Sequence, residues 1–178
     1  MEWAVQYPTL NRLAMMARIV EIIEALFKVT ADEDSYLDSP HNFARCETQS
    51  AGEFIVHRKS ANSAQRDELG LIAGSMGTPS FVARGLGSEE SLLSGSHGAG
   101  RVLSRTEART RITVAAMQRQ LGRVHYDQRH LAALRDEAPA AYRDIREVMQ
   151  AQRDLTRQHL PLTPMLNFKY ADKRTGRM

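Results

Sequence analysis

Residues 71–101 read LIAGSMGTPSFVARGLGSEESLLSGSHGAGR, and this glycine-rich stretch decides which kind of fold the 178-residue chain can adopt. Eight of the chain's eleven glycines lie between Gly70 and Gly100. Glycine loses much conformational freedom on folding, so it is concentrated where a backbone turns tightly or approaches a ligand closely. Residues 81–83 predict a strand inside this stretch, and residues 88–93 predict a short helix. We therefore expect a loop-rich, ligand-binding region on a mixed scaffold.

The segment upstream of this stretch predicts one helix and one hairpin. Residues 9–27 carry apolar side chains at intervals of three and four, which predicts an amphipathic helix that starts after Pro8. Residues 31–40 are acidic and predict a loop. Two short strands, at 41–47 and 53–58, are expected to form a hairpin around residues 50–52. Residues 59–70 are polar and predict irregular structure.

The segment downstream of Arg101 is predominantly helical in pattern. The elements predicted there are, in order, a helix capped by Ser104 with Arg105 and Arg109 on its exposed face, a strand at 123–126, a long helix at 140–158, an extended segment at 161–170 and a frayed tail at 171–178. Strands and helices do not alternate as they do in βαβ units. The predicted fold class is therefore α+β, with mixed short strands and helices.

Composition limits the function classes. The chain is 42% hydrophobic and has a net charge of +3, which suits a single domain with its own core. No apolar run approaches the roughly 20 residues that cross a bilayer, and the first residues do not resemble a signal peptide. Cys46, the single cysteine, excludes an internal disulfide and predicts a cytoplasmic protein.

The basic residues are 20 Arg and 4 Lys, and twelve of the Arg lie between Arg101 and Arg157. Arginine holds phosphate through a planar, bidentate fork, so nucleic acid is a plausible partner. Arginine-rich coding in a GC-rich genome explains the same bias equally well.

The segment Ser96-His97-Gly98-Ala99-Gly100-Arg101 is the strongest candidate for chemistry. Small residues let backbone N–H groups close on a phosphate, and a neutral histidine is a competent nucleophile. The loop is therefore able in principle to hold a phosphate and attack it. The alternative is a surface loop with an incidental histidine.

Two further segments carry weaker signals. Gly74-Ser75-Met76-Gly77-Thr78-Pro79-Ser80 places two hydroxyls around a glycine turn, which suits contact with a phosphate or a base edge but also suits an ordinary turn. His41, at the start of a strand, is a candidate metal ligand, although a lone histidine is more often structural. His57, His125, His130 and His159 show no metal-binding spacing.

These segments occur in an order that resembles the C-terminal half of the RtcB family of RNA-splicing ligases. The motifs that carry the resemblance are His41-Asn42-Phe43-Ala44, Val56-His57-Arg58-Lys59, Gly74-Ser75-Met76-Gly77-Thr78, Ser96-His97-Gly98-Ala99-Gly100-Arg101, Ala138-Pro139-Ala140-Ala141-Tyr142 and Asn167-Phe168-Lys169. The resemblance implies one partial domain over residues 1–178. It divides the domain into a linking helix at 1–30, a nucleotide-binding core at 38–170 and the tail at 171–178.

The resemblance implies a GTP- and Mn²⁺-dependent ligase that joins RNA 3′-phosphate or 2′,3′-cyclic phosphate ends to 5′-hydroxyl ends. It implies these roles: His97 is the guanylylated nucleophile; His41 is a manganese ligand near the nucleotide; Asn42, Ala73, Gly74, Ser75, Met76 and Ser80 contact GTP; Gly98, Ala99 and Gly100 surround its phosphate; Tyr142 and Lys169 line the guanine pocket; Arg58 and Arg101 hold RNA or nucleotide phosphate. The expected partners are GTP, two Mn²⁺ ions and broken RNA, with no membrane.

One departure from the family pattern is large. The acidic, cysteine and further histidine metal motifs of the family's N-terminal half do not occur here, and His41 alone represents the manganese ligands. The alternative function is therefore a catalytically incomplete remnant, or half of a split ligase that needs a chain supplying the missing half. Missing that half, the chain is expected to expose apolar surface. An unrelated glycine-rich interaction domain is a third alternative.

Overall fold

The computed structural model describes residues 2–169, so the predicted frayed tail at 171–178 lies outside the described residues. The elements are helix α1 (Glu2–Phe27), strands β1 (Asn42–Gln49), β2 (Gly52–Lys59), β3 (Ala61–Ser63), β4 (Leu69–Ile72), β5 (Ser80–Gly85) and β6 (Ser94–Ser96), helices α2 (Arg105–Arg111), α3 (Val114–Leu121) and α4 (Ile145–Ala151), and strand β7 (Thr156–Leu162). Single 3-10 turns lie at Glu33–Ser35, Glu89–Ser91, Gln128–His130, Ala133–Glu137 and Pro139–Ala141. The predicted α+β class is confirmed.

Helix α1 is longer than predicted. It contains 26 residues and passes through Pro8, so the predicted start at Thr9 was wrong. The Thr9 hydroxyl donates to the Val5 carbonyl at 3.1 Å within this same turn. At about 1.5 Å per residue the helix is about 39 Å long.

The predicted hairpin is confirmed, with its turn at the predicted position. Strands β1 and β2 pair antiparallel from Asn42 opposite Lys59 to Gln49 opposite Gly52. Gly52 has a φ of 126°, a conformation that side-chain-bearing residues rarely adopt. The hairpin thus begins at Asn42, directly after the predicted metal ligand His41.

Two small sheets hold the glycine-rich stretch. Strand β5, predicted at 81–83, lies between β4 and β7 in an antiparallel sheet of three strands, and β3 pairs with β6 in a second sheet. Strand β4 runs into Ala73, and β6 runs into His97. The ends of these two strands therefore bring the two glycine-containing segments together.

The buried apolar side chains form two clusters. The first joins α2 and α3 to the turns that follow them: Met76, Ala108, Ile112, Met117, Leu121, Leu131, Leu134, Ala138 and Ala141. The second lies on the three-stranded sheet: Ile72, Phe81, Ala83, Ala99 and Ile145. Tyr142 packs against both clusters, so it links the helical part to the sheet.

Several predicted elements were wrong. Residues 140–158 form the short helix α4 and part of strand β7, and residues 59–70 contain β3 and the start of β4. Residues 123–126 form a turn with a single bridge from His125 to Leu166, and residues 88–93 contain only the 3-10 turn. The helix capped by Ser104 is confirmed as α2, with a complete capping box from Glu107. Within residues 2–169, every helix lacks either the length or the apolarity that a bilayer crossing requires.

Candidate functional site

The loop that carries His97 is fixed to the end of β4 by backbone hydrogen bonds. The Ala73 N–H donates to the His97 carbonyl at 2.9 Å, and the Ala99 N–H donates to the Ala73 carbonyl at 2.9 Å. A Cβ on Gly98 would lie 2.7 Å from that same carbonyl oxygen. Only glycine therefore allows the two segments to approach this closely.

The start of the loop is held from the opposite side by α4. The buried Gln152 side chain accepts a hydrogen bond from the Ser96 N–H at 2.8 Å. The Ser96 hydroxyl donates to the Gly98 carbonyl at 2.7 Å, which closes a tight turn around His97. Gly100, at a φ of 70°, then turns the chain toward Arg101.

The His97 imidazole is oriented by one backbone carbonyl. Its Nδ1 lies 2.6 Å from the Ser60 carbonyl oxygen, which can only accept a hydrogen bond. Nδ1 therefore carries the proton, and Nε2 keeps its lone pair. Ser60 has a φ of 59° and donates its N–H to the Asn42 side-chain oxygen at 3.0 Å, so Asn42 supports this orientation.

His41 stacks on His97, with ring centroids 4.8 Å apart and planes inclined by 20°. Burial lowers the pKa of His97 below its ordinary value, and the neighbouring His41 lowers it further, while the Ser60 carbonyl partly opposes the shift. His97 is consequently neutral at pH 7, which is the form that a nucleophile requires.

The residues around His41 do not fit a manganese site by themselves. Across residues 2–169, no group of three or more His, Cys, Asp or Glu side chains is placed to hold a metal ion. Catalytic metals in proteins generally take three or more protein ligands. The implied Mn²⁺ ions therefore need ligands from outside the described part of this chain.

The turn at residues 74–80 is closed by hydrogen bonds to its own hydroxyl groups. The Gly74 N–H donates to the Ser80 hydroxyl at 3.1 Å, and the Ser75 N–H donates to the Thr78 hydroxyl at 2.7 Å. A Cβ on Gly74 would lie 2.1 Å from the Pro79 carbonyl oxygen. Met76, a predicted GTP contact, is buried as a whole residue, and its carbonyl accepts a hydrogen bond from the Asn167 side chain at 2.7 Å.

Tyr142 and Lys169 meet at one carboxylate. The Tyr142 hydroxyl donates to Glu137 at 2.9 Å, and the Lys169 ammonium lies 3.2 Å from the same oxygen. Arg101 donates to the Tyr142 hydroxyl at 2.9 Å. Burial raises the pKa of Tyr142, and the Glu137 charge adds to the shift. Sequence reasoning missed Glu137, because no motif marks it and only these contacts reveal it.

The two arginines predicted to hold phosphate both have partners inside the protein. The Arg58 guanidinium is 1% exposed and donates to Glu47 at 2.6 and 2.8 Å. It has no free edge for an incoming phosphate, so we assign it a structural role in the hairpin. Arg101 donates to the Asp136 and Leu103 carbonyls at 2.5 and 3.1 Å, as well as to Tyr142.

The structure thus brings together most of the predicted site residues. His97 and Gly98 meet the end of β4 at Ala73. His41 stacks on His97, and Asn42 holds the Ser60 residue that His97 contacts. The same loop continues through Arg101 to Tyr142. The fold and site define an α+β protein that presents a neutral histidine from a rigid glycine loop.

The sequence profile described as tRNA-splicing ligase RtcB matches residues 1–170 of this chain. The chain is 42% identical over 158 residues to the RNA-splicing ligase RtcB of Escherichia coli K12, an alignment that covers 86% of this chain and 38% of that protein. It is 32% identical over 170 residues to the RNA-splicing ligase RtcB of Mycobacterium bovis, covering 81% of this chain and 39% of that protein. It is 31% identical over 174 residues to the tRNA-splicing ligase RtcB of Thermococcus kodakarensis, covering 84% of this chain and 36% of that protein. The chain belongs to the RtcB family of RNA-splicing ligases.

The alignments cover less than two fifths of each of these relatives. The absence of a complete metal-ligand set from the described residues agrees with this partial coverage. What a whole ligase does is consequently carried to this chain only as a proposal.

Proposed function

We propose that this chain supplies the histidine nucleophile and most of the nucleotide pocket of a GTP-dependent RNA ligase. The observation that carries the proposal is the His97 imidazole, whose Nδ1–H donates to the Ser60 carbonyl while Nε2 remains unprotonated. The RNA substrate would end in a 3′-phosphate or a 2′,3′-cyclic phosphate on one side and a 5′-hydroxyl on the other. The proposal places the protein in the cytoplasm, where a lone thiol such as Cys46 stays reduced.

The first step is guanylate transfer to His97. The Nε2 lone pair forms a bond to the α-phosphorus of GTP, and the bond from that phosphorus to the bridging oxygen breaks. Pyrophosphate leaves with the electron pair. The proton stays on Nδ1, where the Ser60 carbonyl stabilises the positive charge that develops on the ring.

Two further transfers complete ligation. A cyclic phosphate is first opened by water to a 3′-phosphate. An oxygen of that phosphate attacks the guanylylated phosphorus, and His97 leaves as a neutral imidazole. The RNA 5′-hydroxyl oxygen then forms a bond to the activated 3′-phosphorus and its proton passes to water. The bond from that phosphorus to the GMP oxygen breaks, and GMP departs with the electron pair.

The nucleotide is proposed to lie along the loop from His97 to Arg101. Gly98, Ala99 and Gly100 face the phosphates, while Tyr142 and Lys169 meet the guanine. Phosphoryl transfer depends mainly on positioning and on charge stabilisation, and a loop held from both β4 and α4 provides the positioning.

A second polypeptide, or a further segment joined to this one, is proposed to supply the missing metal ligands. We expect it to correspond to the part of the family's sequence that this chain does not span. That part carries the acidic, cysteine and histidine metal ligands. The incomplete ligand set also favours a second candidate function, a catalytically incomplete remnant that binds GTP or RNA but transfers nothing.

The test co-expresses this chain with the part of the E. coli relative that lies outside the alignment. The complex is then incubated with α-labelled GTP and Mn²⁺. We expect label on the 20.0-kDa chain, and we expect His97→Ala to abolish it. His57→Ala, which removes an exposed histidine of β2, is the matched control and should keep the label.

Three outcomes separate the alternatives. A folded complex that binds GTP but never becomes labelled supports the remnant. Label that persists in His97→Ala shows that His97 is not the nucleophile. Strong labelling of this chain alone, or submicromolar Mn²⁺ affinity by calorimetry, shows that no further ligands are needed.

A further inference from the structure

A groove between α4 and β7 carries three arginines that the proposed reaction does not use. The groove has a volume of about 350 Å³, and its lining includes Arg146, Arg153 and Arg157. All three side chains are exposed. Three guanidinium groups around one concave surface favour a ligand with several negative charges in a row.

These guanidinium groups have no partner among residues 2–169, in contrast to those of Arg58 and Arg101. No hydrogen bond or ion pair joins the Arg146, Arg153 or Arg157 guanidinium to another described residue. The neighbouring acidic residues of the chain do not line the groove. No acidic side chain among the residues that line the groove offsets the charge of these three arginines.

A buried hydroxyl lies beneath the groove. Thr156 is 7% exposed and lines the groove, and its Oγ1 has no hydrogen-bond partner. A buried hydroxyl without a partner destabilises the folded protein, so such groups are usually bonded to a ligand or to water. Thr156 also borders a small internal cavity that Asn62 lines, and its Oγ1 is closed to solvent, so the arginines are the groups that the groove offers to a ligand.

The floor of the groove is continuous with the strand that leads to His97. A Cβ placed on Gly95 would lie 3.0 Å from the Thr156 methyl group. Gln152, which directly follows α4, accepts a hydrogen bond from the Ser96 N–H at 2.8 Å. A chain molecule lying in the groove would therefore lie directly behind the loop that presents the nucleophile.

We propose that this groove binds the phosphodiester backbone of the RNA substrate. The proposal rests on the proposed function for its choice of RNA, but it does not depend on guanylate transfer to His97. The three arginines contact successive phosphates of that backbone. Phosphate contacts of this kind give affinity and orientation without reading sequence.

The test measures binding of a fluorescent single-stranded RNA with a 3′-phosphate, by anisotropy, over a series of salt concentrations. The groove variant carries Arg146→Gln, Arg153→Gln and Arg157→Gln. Each phosphate contact to a single strand adds about 0.7 to the slope of log K against log salt. We expect the variant to bind about tenfold more weakly at low salt and its slope to fall by about 2.

The charge-matched control carries Arg111→Gln, Arg119→Gln and Arg123→Gln. These residues are exposed on α2, on α3 and after α3, and none lines the groove. The control should keep the parent's slope. Equal weakening of both variants, an unchanged groove variant, or a parent that does not bind RNA would each overturn the proposal. Single Arg153→Gln and Arg157→Gln variants repeat the test if the triple variant does not fold.

The two proposals fail separately. The guanylylation assay on the groove variant should still label His97, because no groove residue belongs to the nucleotide loop. Loss of RNA binding with retained label supports the groove, whereas absence of label in the parent bears only on the proposed function.

Discussion

The His97 loop and helix α1 differ in how completely their side chains and backbone groups find partners. The loop is held from both sides, by Ala73 and by Gln152, and its histidine donates to a fixed carbonyl. Helix α1 exposes large apolar side chains around its circumference. They are Trp3, Tyr7, Leu10, Leu13, Met15, Met16, Ile19, Ile22, Ile23, Leu26 and Phe27. The expected exposure of apolar surface is confirmed.

Helices that are apolar on all sides are normally buried within a larger protein. Here α1 is joined to the rest of the chain by the Arg12–Asp38 ion pair, at 2.7 Å. A cavity of about 590 Å³ remains between α1 and the hairpin, lined by Leu10 and Phe43 among others. The difference indicates that the His97 loop is held by groups of this chain on both sides, whereas α1 has the composition of an internal element.

The largest loss of stability is expected from removing Arg58, because its ion pair with Glu47 is buried. Arg58→Ala leaves the 5%-exposed Glu47 without its main partner. Removing one member of a buried ion pair costs about 3–5 kcal/mol, because the other charge stays buried. Denaturant unfolding of the purified chain measures the loss in the free energy of unfolding.

Arg12→Ala is the matched control on the α1 side. It breaks a partly exposed pair with Asp38, whose side chains are 36% and 23% exposed, and should cost about 1 kcal/mol or less. The pH dependence provides a second check, since Arg58 holds the pKa of Glu47 below its ordinary value. The stabilisation is therefore complete above the unfolded pKa of Glu47 and is lost as pH falls through the lower folded value. The difference in the free energy of unfolding between the parent and Arg58→Ala should therefore narrow in acid. A difference that stays constant would contradict the stabilising role of the Arg58–Glu47 ion pair.

Gly98→Ala tests how tightly the loop is held. The added Cβ would lie 2.7 Å from the Ala73 carbonyl oxygen, so one strand end must move. We expect a loss of about 1–3 kcal/mol in the free energy of unfolding, together with weaker guanylylation of the complex. Gly122→Ala is the control, because its site has a φ of 55° but open space, and guanylylation should not change. If Gly98→Ala unfolds like the parent and is labelled normally, the loop is more adaptable than its contacts indicate.

The same contrast explains which elements could be predicted from sequence. Local signals predicted β1 and β2, whose turn needs Gly52, and the capped start of α2 at Ser104. The prediction of a long helix at 140–158 was wrong, although Ile145, Val148 and Met149 do have helical spacing. Helix α4 ends at Ala151, and Thr156 begins a strand whose partner, β5, lies far away in sequence. Long-range pairing of this kind leaves no local pattern.

The residues of the candidate site also differ in whether sequence could predict them. His97 and its glycines stand in a recognisable segment, so sequence alone places them on a loop. The role of Ser60 as the acceptor for His97 depends on two segments 37 residues apart, and no motif indicates it. Arg58 shows the opposite failure, because an arginine within a family motif turns out to be buried against Glu47.

The smallest effect on stability is expected on α1 itself. Ile19 and Ile23 are 51% and 44% exposed, so Ile19→Ser with Ile23→Ser should change the free energy of unfolding by no more than about 0.5 kcal/mol. The same change should reduce self-association of the isolated chain, measured by sedimentation velocity, because exposed apolar faces adhere to one another. Arg18→Ser with Glu21→Ser, an exposed ion pair on the same helix, is the control and should leave self-association unchanged. A loss of more than 1 kcal/mol would mean that α1 already packs against the rest of this chain, and the contrast with the His97 loop would then disappear.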